Sequence, residues 1–392
     1  MTIVVQKYGG SSVADVQKLG GVADKVVATR RAGHDVVVVV SAMGKTTDQL
    51  LQLAKEVDDE PPRRELDMLL STGERVSMAL LSMAIQKRGC DAISFTGSQS
   101  GIITNDRHFD AKIISVRPHR IEDELHRGRV VIIAGYQGMS YRREITTLGR
   151  GGSDTTALAM AAALGAERAE VYSDVDGVYS ADPRRVEAAQ HLPELSYDEM
   201  QEMALAGAKV LHAGAVEFAR SAGIDIIARS TFSPGKETRI GKHAPADGPR
   251  SVVGRGPIAM AHVDATDLAA VTAACLGRGL APRAISVNGP AATFRLPLQH
   301  CPDWTSARQH LRSLGVQLHD ERGEVTVVGA AFGRDEAALS TALAALSAEG
   351  IEVEAAQSSS HALSLVVAAE KVDQAVRRLH RSFLEQDRQS AP

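Results

Sequence analysis

The chain has 392 residues, 44% of them hydrophobic and 23% charged, enough for two or three domains with sizeable cores. A net charge of −4 gives no reason to expect nucleic acid or an anionic membrane as partner. Its three cysteines, Cys90, Cys275 and Cys301, are odd in number and lack metal-ligand spacing, which predicts a reduced, cytoplasmic protein with no metal site of its own.

The chain opens on a strand pattern, with no secretory leader, and no apolar run looks long enough to cross a membrane. Residues 3–8 read as a strand, followed by Gly9-Gly10-Ser11-Ser12 and a helix over 13–31. Strand, glycines and helix in that order are the parts of a phosphate loop. Lys7 precedes the glycines, so this is not a Walker loop. It stands at the carboxyl end of the strand, where open α/β sheets place their ligands. Residues 35–40 are apolar throughout, as in a parallel strand covered on both faces. They run into Ser41-Ala-Met-Gly44 and Lys45-Thr46-Thr47, where either threonine can cap the next helix. Pro61-Pro62 opens a long helical pattern that contains Ser71-Thr-Gly-Glu-Arg75. Gly73 there suggests the close approach of another element. Glu74 beside it is either a solvated charge or a carboxylate turned into a site to hold an ammonium group.

Strands are expected at 91–95, 113–116, 130–134, 169–173 and 224–228. Helices are expected at 118–128, 157–164, 197–206 and 209–222. Between the strand at 130–134 and the helix at 157–164 lies TLGRGGSDTTA (147–157), with three glycines in four positions and Arg150 among them. Bare backbone, an arginine and the capping candidates Ser153, Asp154 and Thr155 together make a seat for an anion at a helix N-terminus. The strand at 169–173 ends in an acidic loop holding Ser173, Asp174, Tyr179, Asp182 and Arg184. Such a loop suits a nucleotide, with acids touching Mg²⁺ through water, an arginine on phosphate and a tyrosine over a base. The alternation predicts an α/β domain over 1–232 with a mostly parallel sheet. Residues 233–256, rich in Gly, Pro and basic residues, read as a linker. The β-α-β-β-α-β order then occurs twice, at 257–320 and 321–392, as in ferredoxin-like units.

Five stretches together resemble aspartate kinase: KYGGSSV (7–13), SAMG (41–44), STGER (71–75), TLGRGGSDTTA (147–157) and YSDVDGVYSADPR (172–184). The tail resembles the paired ACT domains of that family. The resemblance implies the amino-acid-kinase fold, a three-layer αβα sandwich followed by two ACT units. It also implies phosphoryl transfer from ATP, with Mg²⁺ bridging its phosphates, to the β-carboxylate of L-aspartate. It gives Lys7 the transferring phosphoryl, Asp154 the orientation of Lys7, and Gly9 and Gly10 the phosphates. Arg150 would clamp a substrate carboxylate, Glu74 the α-ammonium, and Ser41, Thr47, Gly151 and Ser153 the rest of the aspartate. Ser173, Asp174, Tyr179, Asp182, Arg184 and Lys209 would line the nucleotide. A homodimer through the ACT-like units is expected. The first of these units departs from the family pattern at Asp264-Ala265-Thr266-Asp267 and Ala281-Pro282-Arg283, and Ala213-Gly214-Ala215 departs after Lys209-Val-Leu-His212. The changed turn has no glycine and adds Asp267, so weakened feedback by lysine and threonine is expected. The rival readings are another amino-acid kinase of this fold and a non-catalytic amino-acid sensor.

Overall fold

The computed structural model describes residues 2–149, 151–233, 235–242, 248–298, 301, 304–330, 332 and 336–385. It divides into two compact units. The first holds 1–178, 191–204 and 209–244, and the second 179–190, 205–208 and 245–392.

The first unit is built on an eight-stranded sheet. Its order is Glu194–Ser196, Glu237–Gly241, Asp225–Ser230, Arg168–Ser173, Ile3–Tyr8, Asp35–Val40, Val130–Ala134 and Ala92–Phe95. All neighbours are parallel except Asp225–Ser230 against Glu237–Gly241. The valine run Asp35–Val40 explains the layering: all five of its valines are buried. Val36, Val38 and Val40 pack with Leu19, Val22 and Val26 of the helix Val16–Arg31 and with Leu81 and Ile85 of Thr72–Gln86. The opposite face carries the helix Gly152–Leu164, nine of whose residues are buried. Register brings Tyr8, Val40, Ala134 and Tyr172 level, so the loops beginning at Gly9, Ser41, Gly135 and Ser173 open on one edge.

Three local expectations change. The long helix is two, Arg63–Leu70 and Thr72–Gln86, parted at Ser71. Ser71 and Thr72 turn their hydroxyls back onto the carbonyls of Met68 and Leu69, a bond that competes with a straight helix. The stretch Arg63–Gln86, long and apolar enough by composition to cross a membrane, instead buries Leu66, Leu70, Leu81 and Ile85 in the unit's interior. Ile102–Thr104, Gln137–Ser140 and Ile145–Thr147 join Ile113–Val116 in a second, four-stranded sheet. Strands of three or four residues carry too short a pattern to be read alone. The helix expected from Lys209 begins at Ala213, which leaves Lys209 in an exposed bend.

The expected linker contains the strand Glu237–Gly241 and most of the 17-residue strand Gly248–Asp264. Its glycines hid the alternation, and the pairing is long-range, with Gln317–Ala330. In the second unit the two repeats share one antiparallel six-stranded sheet. Its order is Arg283–Asn288, Ala291–Pro297, Gly248–Asp264, Gln317–Ala330, Ala362–Ala368 and Ala355–Ser358. The two long strands are the middle of that sheet. One half packs under Leu268–Gly277 and Trp304–Ser313, the other under Glu336–Ser347 and Val372–His380. A buried ionic group, Glu324 between Arg255 and Arg295, crosses the three central strands.

Candidate active site

The site is built where the carboxyl edge of the first sheet meets the N-terminus of the helix Gly152–Leu164. Lys7, at the penultimate position of its strand, faces that helix because strand side chains alternate and Tyr8 is taken by the opposite core. Its Nζ lies 2.7 Å from Asp154 Oδ1, with both side chains about nine-tenths buried, at 12% and 11% exposure. An ion pair held this far from water is little screened.

The helix N-cap is Gly151 at φ +70°, so Ser153 and Asp154 do not cap as expected. They lie in the first turn, and Asp154 is free to reach Lys7. Thr155 bonds back to the Gly151 carbonyl. Gly151 is required on two grounds, its left-handed backbone and the His212 side chain, which would lie 2.5 Å from an added Cβ. Ser153 packs in the same way on Gly135, where an added Cβ would meet its Oγ at 2.7 Å. Arg150 lies outside the described residues.

Gly10 is wedged beneath the Ser41–Gly44 turn. An added Cβ would meet Ala42 O at 2.9 Å, and the Gly44 amide bonds the Gly10 carbonyl at 3.0 Å. Gly9 departs from expectation: its amide donates to the Tyr172 carbonyl at 3.2 Å and so already has an acceptor. Its bare Cα still matters, since a Cβ there would sit 3.5 Å from Lys7 Nζ. Ser41 continues the sheet edge, its amide bonded to Tyr8 O. Thr47 lies half-buried in the first turn of the helix Thr46–Val57, which Lys45 caps without a side-chain bond. Thr46 bonds the Met43 carbonyl, so neither threonine acts as the cap.

Glu74 is the most informative side chain. Gly73 presses on Ala42, where an added Cβ would approach the alanine's own Cβ to 2.8 Å, and this brings the first turn of Thr72–Gln86 against the Ser41–Gly44 loop. Glu74 Oε1 then accepts the Ala42 amide at 3.0 Å. Oε2 is buried with no hydrogen-bond partner. Burial pushes the carboxyl up to about 7, against the opposing effect of the Ala42 amide. A carboxylate in that condition calls for a cation. Tyr136, at φ +68°, covers the same ground: its ring would meet a Cβ on Gly152 at 2.9 Å, and burial raises its phenol to about 12.

The nucleotide candidates are not gathered in one unit. Ser173 and Asp174, at the end of Arg168–Ser173, and Lys209 belong to the first. Tyr179, Asp182 and Arg184 belong to the second, where Arg184 forms a two-pronged pair with Asp182 at 3.0 and 2.9 Å. That pair holds the Asp182 carboxyl below its ordinary range. Among the described residues no group of three His, Cys, Asp or Glu could hold a metal ion.

Residues 2–230 match the amino acid kinase family, and residues 325–383 match the ACT domain. The aspartokinase of Mycobacterium tuberculosis is 42% identical over 413 residues, covering 98% of this chain and 96% of that protein. The aspartokinase of Corynebacterium glutamicum is 40% identical over 415 residues with the same coverage. Among solved structures, Escherichia coli aspartokinase III in complex with aspartate and ADP superposes with a TM-score of 0.86 at 25% identity, covering 97% of this chain and 99% of that one.

Proposed function

The chain belongs to the aspartokinases, within the amino acid kinase family, and on that premise we propose how its residues divide the work of the reaction. The reaction moves the γ-phosphoryl of ATP to the β-carboxylate of L-aspartate and yields ADP and 4-phospho-L-aspartate. The nucleophile is a carboxylate already ionised at neutral pH, so no general base is required. What remains is to hold two anions in line and to neutralise the charge spread over the moving phosphoryl group.

The observation that carries the assignment is the half-satisfied carboxylate of Glu74, buried beside the edge that presents Lys7. An amino-acid ammonium answers it. Arg150 takes a substrate carboxylate in a fork-to-fork pair. Ser41, Thr47, Ser153 and the Gly151 backbone take the remaining polar atoms of aspartate. Lys7, oriented by Asp154, meets the transferring phosphoryl. Gly10 lines the phosphate channel, and Gly9 keeps it open by its missing side chain. From the resemblance, Ser173, Asp174 and Lys209 line the nucleotide, as do Tyr179, Asp182 and Arg184. Mg²⁺ arriving with ATP would supply charge neutralisation at the phosphates, with Asp174 the acid that would touch it through water.

The protein acts in the cytoplasm as a homodimer joined through its ACT-like units. The exposed edge strand Arg283–Asn288, with Ile285 and Val287 open to solvent, is a surface of the kind that pairs between copies. Feedback by lysine and threonine is weak. The Ala265 amide is spent on the Pro290 carbonyl at 2.7 Å, and Asp267 adds negative charge beside the turn where an effector carboxylate would bind. A substrate panel in a coupled ADP assay tests the whole reading. Turnover is expected with aspartate, and turnover confined to glutamate, acetylglutamate or a nucleotide, or none at all, would refute it.

A further inference from the structure

Asp67 takes no part in the chemistry above, yet three groups converge on its carboxylate. It lies on the helix Arg63–Leu70 and is fully buried. Its Oδ1 accepts the Thr147 hydroxyl at 2.5 Å, both oxygens accept the Phe109 amide at 3.0 and 3.2 Å, and Oδ2 meets His108 Nδ1 at 2.6 Å. Burial raises this carboxyl, and those bonds oppose the rise. Apolar side chains of the same volume would fill such a place at no cost in desolvation. A carboxylate kept there needs a reason beyond packing.

The reason lies in what the bonds hold. Phe109 sits at φ +71°, a left-handed backbone that a phenylalanine adopts only when its surroundings impose it. With Phe109 so turned, the next residue packs directly on Gly149, where an added Cβ would meet Asp110 Oδ1 at 3.0 Å. The Ala111 amide bonds the Thr147 carbonyl at 2.9 Å, and the Leu148 amide bonds the Tyr136 carbonyl at 2.9 Å. Thr147 and Leu148 are therefore strung between the 105–111 loop and Tyr136. Three residues after Leu148 the chain reaches Gly151, the cap of the helix bearing Ser153 and Asp154.

We propose that Asp67 and His108 are positioning residues for aspartate, fixing the 147–149 approach to the substrate loop by pinning Thr147 on one side and the Phe109–Asp110 turn on the other. The proposal rests on the assignment of this loop and Glu74 to aspartate. His108 is only four-fifths buried and contributes a single bond, so its removal leaves the core intact. His108→Ala lets the Phe109 turn relax. Its effect falls on aspartate and spares ATP, because the nucleotide candidates lie on other loops. His108→Asn returns an amide donor at the place of Nδ1.

The test is steady-state kinetics on the full-length protein with aspartate and ATP varied separately, together with thermal unfolding. His108→Ala is expected to raise the aspartate KM about ten- to a hundredfold, as small misplacements of positioning groups do, with kcat and the ATP KM within about threefold. His108→Asn is expected to recover most of the loss, and Thr147→Val to reproduce it. Unchanged aspartate KM in both His108→Ala and Thr147→Val would overturn the proposal, as would an equal rise in the ATP KM. Glu74→Gln serves as reference. If it moves the aspartate KM and His108→Ala does not, the positioning role alone falls. If Glu74→Gln also leaves that KM unmoved, the site assignment itself falls and the positioning role with it.

Discussion

Glu74→Gln separates binding from stability in one residue. In the empty protein Glu74 Oε2 has no partner, and burial lifts the carboxyl from an ordinary 4.5 to about 7. As pH rises past 4.5 the unfolded chain gives up this proton while the folded chain keeps it, so stability falls with pH until the folded group ionises near 7. The full cost, reached above about pH 7, is roughly 3 kcal/mol at 1.36 kcal/mol per pH unit. Glutamine keeps the Ala42 hydrogen bond and never ionises. The unliganded variant should therefore melt about 6 °C or more above the parent at pH 8, given ~2–4 °C per kcal/mol for a domain of this size, and the gap should narrow towards pH 5. Aspartate binding shows the opposite sign. Losing one partner of a buried charge pair costs about 2–5 kcal/mol, so the aspartate KM should rise at least about thirtyfold. In the parent enzyme aspartate needs the ionised carboxylate, so its KM should climb about tenfold per unit as pH drops below 7. Differential scanning fluorimetry of both proteins between pH 5 and 8.5 measures the melting difference, and steady-state kinetics over the same range measures the aspartate KM. A melting difference that does not change with pH would show that Glu74 is already charged in the empty site and would refute the reasoning.

Lys7→Ala should lower kcat by about two orders of magnitude or more while aspartate still binds, because the lysine acts on the transferring phosphoryl. Rapid quench together with calorimetric titration of aspartate checks it, and a kcat within about threefold would reject the role. Millimolar lysine, threonine or both should leave most of the activity in a coupled ADP assay, and strong concerted inhibition would contradict the altered effector turn at Asp264–Asp267. Light scattering at micromolar concentration should return at least twice the 392-residue mass, and a monomer would remove the pairing assigned to the Arg283–Asn288 edge.

The parallel core was legible because its signal is local and repeated. Five consecutive valines at 36–40 can hardly be anything but a strand covered on both faces, and the glycines after Tyr8 and around residue 150 mark where the chain turns at its edge. The second sheet was legible only at Ile113–Val116, for the reverse reason. Its strands are three or four residues long, and their paired residues lie between about 6 and 36 positions apart. The supposed linker failed in a related way. Gly248, Gly254 and Gly256 read as flexible punctuation, yet Gly254 is a glycine because Val376 and Val372 press to within 2.8 Å of where its Cβ would be. Pressure from a helix more than a hundred residues away leaves no trace in the local pattern.

Polar residues set a further limit. Residue type and spacing put Lys7, Glu74 and Asp154 near an edge, but they do not say which polar atoms are already spoken for. Gly9 looked like a phosphate donor until its amide proved to be bonded to Tyr172, and nothing in the sequence singled out Asp67 as a buried carboxylate. Conversely, nothing in STGER announces that one oxygen of Glu74 is buried and unmatched. Function at this site follows from that remainder. The fold satisfies nearly every polar group it buries, as it must to be stable. Glu74 Oε2 is not alone in being left unmatched among the described residues, since Ser251 Oγ and Asp320 Oδ1 share the condition, and what sets it apart is its place beside the edge that presents Lys7, where the proposed partner is the ammonium of aspartate.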